Sequence, residues 1–149
     1  MTRPAPFDWS HAKAPDLDTF EALAQAAYRA LPPEFLHFTG EILIAIADFP
    51  EDEVVDEMEL ESEFDLLGLF HGTGLPHRGA VPQTGSLPNR ILLYRRPILD
   101  FWAEHDETLG AIVTHVLIHE IGHHFGFSDA DMEAIERLAR DLGRDGEEG

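Results

Sequence analysis

Between Leu109 and Phe125 apolar residues fill most faces of a stretch with helical spacing, so the helix this stretch forms must be covered on nearly every side. The remaining residues have to supply that cover. Asp106-Glu107-Thr108 offers an N-terminal cap with favourable negative charge, and Gly126 closes the apolar stretch. With 149 residues the protein is long enough for the task, because a globular protein of this size buries roughly 68–70 % of its unfolded surface. A single domain over residues 1–149 is expected, with residues 1–15 and 144–149 loose.

The covering elements are legible from pattern. Asp18-Thr-Phe-Glu21 reads as a capping box, and Phe20, Leu23, Ala24, Ala27 and Leu31 recur at helical spacing up to Pro32-Pro33, predicting a helix over 17–31. Ile42–Ala47 is apolar throughout and β-branched at alternate positions, as expected of a strand covered on both faces at the centre of a sheet. Leu66–His71 reads as a short strand, and Gly68 within it marks an edge, a bulge or a close backbone approach. Arg90–Arg95 gives a third strand, and Pro97 suits the first turn of a short helix to Glu104. Gly72 to Asn89 is rich in Gly and Pro, but no Gly-Lys-Ser/Thr follows, so it is no phosphate loop. Ser128-Asp-Ala-Asp131 starts a last helix with Met132, Ile135, Leu138, Ala139 and Leu142 inward, which Gly143 ends.

Charge narrows the function. The net charge is −19, from 29 acidic and 10 basic residues, and nine of the acidic ones fall within Glu51–Asp65, read as a solvated helix or loop. Ten Lys and Arg hardly form the basic stripe that nucleic acid or an anionic membrane requires. No apolar run approaches the ~20 residues of a membrane span, and Met1–Pro15 lacks the apolar stretch of a signal peptide, so a cytoplasmic location is expected. Without cysteine there is no disulfide and no thiolate ligand, which leaves histidine and carboxylates for any metal.

Inside the apolar helix stands His119-Glu-Ile-Gly-His123, followed by His124-Phe-Gly-Phe-Ser-Asp129, the pattern H-E-x-x-H-x-x-G-x-x-D. Residues four apart are separated by about 400° of helical rotation, so His119 and His123 leave one face and can grip one ion. Glu120 projects about 100° away, within reach of a water on that ion, and suits a general base. A third ligand requires the backbone to turn back, which Gly126 permits and which brings Asp129 into range; Asp131 and Glu133 are the alternatives. Three ligands leave a fourth position for water, the mark of a catalytic zinc site with one Zn2+ per protein molecule. With so many His and Glu residues present, the five-residue H-E-x-x-H core alone arises by chance roughly 5 % of the time, whereas the full eleven-residue pattern does so roughly 4 times in 10,000. His115 lies one turn before His119 on the same face, read either as a partner of the ligands or as a hydrogen-bonded core histidine. His71, His77 and Tyr94 are candidates to stabilise an oxyanion.

The His119–Asp129 pattern resembles the zincin metallopeptidases. Together with Gly68-Leu-Phe-His-Gly72, Ile91–Tyr94 and His123-His-Phe-Gly126, it is most similar to the small bacterial zincin-like metallopeptidases, over about residues 17–135. The resemblance implies a minimal α+β zincin, with a small mixed sheet on a buried active-site helix and helices at both ends. It also implies His119 and His123 as ligands, Asp129 as third ligand and Glu120 as base. The metzincin methionine turn is missing: Met132 comes only three residues after Asp129.

The function expected is a zinc peptidase in which a zinc-bound water is activated by Glu120, with a peptide or protein substrate adding as a strand near Leu66–His71. Two alternatives stand beside it: a metal-dependent endoribonuclease, opposed by the charge, by the mismatch of Glu120 and Asp129 with that pattern and by the lack of a histidine at position 130, and a non-catalytic zinc module that shares every ligand and holds a peptide without cutting it.

Overall fold

The computed structural model describes residues 8–72 and 89–148, with side chains to Leu142. The elements run α1 (Leu17–Arg29), α2 (Pro33–Thr39), β1 (Ile42–Ala47), α3 (Asp52–Glu57), β2 (Gly68–His71), β3 (Asn89–Tyr94), α4 (Arg95–Glu104), α5 (Leu109–His124) and α6 (Asp129–Glu148), with 3₁₀ turns at Trp9–His11 and Glu63–Asp65. This is an α+β fold, with helices gathered around a three-stranded mixed sheet.

Helix α5 is the axis of the core. Ile112, Val113, Val116, Leu117, Ile118 and Ile121 are all buried in it, and they meet Phe20 and Ala24 of α1, Ile42 and Ile44 of β1, Ile91 and Leu93 of β3, Ile98 of α4 and Met132 of α6. The helix packs against α1, α4, α6 and the β2–β3 side of the sheet. Its N-cap is Thr108, whose hydroxyl accepts from Ala111 N–H at 3.1 Å. The expected cap at Asp18 is instead Asp16, which accepts from Thr19 N–H at 2.8 Å; Asp18 lies in the first turn of α1. Pro33 occupies the first position of α2, a short helix that the pattern of the sequence does not announce, because Pro32-Pro33 reads there only as a stop.

The sheet order is β1-β3-β2, with β1 parallel and β2 antiparallel to β3. Among the described strands the apolar run of β1 therefore lies at an edge, not at the centre as expected. Its all-apolar composition reports cover above and below the strand, whereas sheet order is set by which backbone finds partners on both sides, and that strand is β3. Leu43, 48 % exposed, shows that the cover of β1 is incomplete. The edge expected for Leu66–His71 is present in β2. At Gly68 a Cβ would lie 2.8 Å from Val116 Cγ1 and 3.2 Å from the Leu92 carbonyl, so the glycine lets the strand sit directly on α5.

Glu51–Asp65 forms α3 and a 3₁₀ turn, neither with a buried residue. Arg95 ties distant parts of the sequence together by donating to Asp48 Oδ1 at 2.6 Å and to the Pro15 carbonyl at 2.8 Å. Helix α6 does not stop at Gly143 but continues to Glu148. Met132 is buried and Ile135 and Ala139 are half-buried, but Leu138 and Leu142, expected inward, are 48 % and 42 % exposed. The cause for Leu138 is angular: six residues from Met132 it points about 120° away.

The turn from α5 to α6 decides where the last helix lies. Gly126 has φ +81°, Gly126 N–H donates to the His123 carbonyl, and Phe127 N–H donates to the Gly122 carbonyl at 2.9 Å, the bonding of a Schellman cap. Ser128 and Asp131 then exchange hydrogen bonds of 3.1 Å, each side chain accepting from the other's N–H, to start α6. No atom lies within 4 Å of a Cβ built at Gly126, so an alanine there suffers only the backbone penalty. Gly126→Ala should destabilise the fold by about 1–2 kcal/mol and Gly126→Asn by less, measured by urea denaturation. An alanine variant as stable as wild type would contradict the left-handed turn.

Candidate metal centre

Helix α5 presents His115, His119 and His123 on one face at successive turns, as the four-residue spacing dictates. The His115 and His119 rings are stacked, with centroids 4.0 Å apart, while His119 and His123 stand edge to face at 5.9 Å. The Gly126 turn sends α6 back alongside α5, and the close approach of the helices depends on Gly122, where a Cβ would lie 2.6 Å from Met132 Sδ.

One turn after Met132, Glu136 shares its inward face. Its Oε1 lies 2.5 Å from His119 Nε2 and 2.7 Å from His115 Nδ1, so one carboxylate oxygen bridges two imidazoles. Among the described residues, His115, His119 and Glu136 form the group of histidine and carboxylate side chains whose donor atoms lie within 4.8 Å of one another. Two imidazoles and a carboxylate are a donor set that suits zinc.

The expected ligands are distributed differently. His119 belongs to this group, but His123 and Asp129 stand outside it, both exposed, with Asp129 opening the first turn of α6. Asp131 is engaged with Ser128, and Glu133 is exposed. Glu136 was not legible as a site residue from motif spacing. The available signal was its position on α6: four residues after Met132 and three before Ala139, it is a carboxylate on the face that packs against α5.

Glu120 is half-buried, and loss of hydration pushes its carboxyl above the usual carboxylate range, offset in part by the nearby His123. The Tyr94 hydroxyl is pushed up too, first by burial, then by Glu51 and least by Glu120, with Arg90 opposing. His71, at the end of β2, is exposed, and His77 lies outside the described residues. His124 leaves the side of α5 that carries the other three histidines and stacks on Phe70 of β2 at 4.1 Å, where burial lowers its pKa.

A cavity of about 430 Å³ opens beside this group. Leu23, Ala27 and Leu31 line it on one side, and Thr114, His115 and Glu136 on the other. The side chain of His115 is 54 % exposed towards solvent, against 23 % for His119 and 18 % for Glu136. The described helices include none long and apolar enough to cross a membrane.

The model of one known family matches the sequence, that of the zincin-like metallopeptidases, over residues 39–138. The match takes in the whole sheet, α5 with all three histidines of its polar face, and α6 as far as Leu138. No curated protein matches the sequence. Two-thirds of the sequence, with the sheet and the histidine-bearing helix inside the matched span, places this protein in the zincin-like metallopeptidase family.

Proposed function

We propose that the protein is a zinc-dependent peptidase that hydrolyses peptide bonds with His119, His123 and Asp129 as the catalytic ligands and Glu120 as general base. The observation that carries this reading is the half-buried Glu120 next to the two histidines on α5, its carboxyl held towards the neutral form by burial. Such a carboxyl is more basic than one in water, and a base works best when its pKa approaches the operating pH. Zinc, when bound, would polarise the scissile carbonyl and acidify the attacking water. Glu120 would take the proton of that water and deliver it to the departing amine. Tyr94 is the candidate to stabilise the developing oxyanion. The substrate would lie along β2, an edge among the described strands, pairing backbone to backbone near Leu66–His71.

The Glu120→Ala protein should fold and bind zinc with wild-type stoichiometry while peptide turnover falls by about 100-fold or more. A variant that still cleaves would remove Glu120 from the mechanism. A wild type that binds zinc but cuts no peptide in a broad library would point instead to a peptide-holding module.

The raised Glu120 pKa also predicts a pH dependence of stability in metal-free protein. In the unfolded state a glutamic acid loses its proton near pH ~4.3. Between that value and the higher folded value, the folded state keeps a proton that the unfolded state has released, so this residue's contribution falls as pH rises through the window. Glu120→Gln removes that titration. The variant should match wild type below the window and exceed it above, in denaturation curves taken at a series of pH values with chelator present. A constant difference across the range would contradict the burial of this carboxyl.

A further inference from the structure

We propose that His115, His119 and Glu136 form a second cation position on α5 and α6, which shares His119 with the catalytic site and binds a transition-metal ion in competition with it. The inference goes beyond the peptidase reading, because neither His115 nor Glu136 takes part in the H-E-x-x-H grip.

Three observations carry it. The donor atoms already converge: Oε1 of Glu136 is 2.5 Å from His119 Nε2 and 2.7 Å from His115 Nδ1, with the two rings stacked at 4.0 Å. Ligand atoms around a tetrahedral zinc stand about 3.3 Å apart, given bonds of about 2.0–2.1 Å, so a movement of less than about 1 Å would admit an ion. Secondly, the scaffold is rigid where it matters, since both histidines leave the most buried helix of the protein and Glu136 follows the buried Met132. Thirdly, there is an approach route: His115 and Glu136 line the 430 Å³ cavity, which leaves space for the ion's remaining ligand to be water.

His119 Nε2 has one lone pair to give. An ion gripped by His119 and His123 takes it one way along α5, and an ion held by His115 and Glu136 takes it the other. The two positions are therefore alternatives for one ion. The orientation seen here, with Nε2 directed at Glu136, is the second. Glu136 thereby acts as a rival for the catalytic metal, and the protein binds a single ion whichever position wins.

The test removes the catalytic grip and asks whether an ion still binds. Tag-free apo-protein is titrated with Co2+, read by its visible absorption, and then with Zn2+ in competition. His123→Gln should retain one ion per protein molecule. Adding Glu136→Gln or His115→Asn to that background should weaken binding by about 100-fold. His115 is exposed, so its substitution leaves the core intact, and circular dichroism with thermal unfolding verifies the fold of each protein. Loss of all binding in His123→Gln alone would overturn the proposal, as would retained binding that neither added substitution weakens. The peptidase reading is scored separately, by turnover in wild type and Glu120→Ala, so either conclusion can fail without the other.

Discussion

Everything in this molecule depends on burying α5. A helix with Ile112, Val113, Val116, Leu117, Ile118 and Ile121 all in the core must be enclosed, and α1, α4, α6, β2 and β3 are placed by that demand. Burial of one such side chain is worth about 1.5–3 kcal/mol, so the helix is a main source of the cohesion of the fold. Three of its four histidines then share one direction. His115, His119 and His123 fall on one stripe, because the remaining directions are occupied by α1, α4 and the sheet. Polar groups in that setting need partners to offset lost hydration, and α6 brings one in Glu136.

Two glycines make the enclosure possible, for different reasons. Gly126 takes a left-handed conformation that reverses the backbone after α5, and without that reversal α6 would carry its residues away from the histidines. Gly122 is helical and acts by absence: Met132 sits where its side chain would be. Together they fix both the direction and the distance of α6. The chemistry of the stripe thus rests on backbone features that are themselves apolar and inert, as is usual where a functional group must be held on a rigid element.

The acidic surface and the candidate metal centre are separate matters. The carboxylates of Glu51–Asp65 are all exposed, so they keep their hydration. Glu120 and Glu136 are of another kind, half-buried and set against histidines. In a protein with 29 acidic residues, composition cannot single out the few carboxylates that packing takes out of water.

The main helices, the strands, the histidine stripe and the family were written in the sequence, because periodicity, caps and a close-spaced motif are local properties. A cap within Asp106–Thr108, a reversal at Gly126, and an edge, bulge or close approach at Gly68 are local statements, which the structure narrows to Thr108, to a left-handed turn, and to an edge strand lying close on α5. Sheet order was not among them: β1 and β3 each carry an apolar run, and only the pairing of three separated segments places β3 in the middle. Nor was the meeting of His119 with Glu136, seventeen residues apart on two helices, because it depends on the angle at which α6 returns and on the rotation of α6 about its own axis. Local physics determined which side chains share a face; only tertiary packing decided which faces meet.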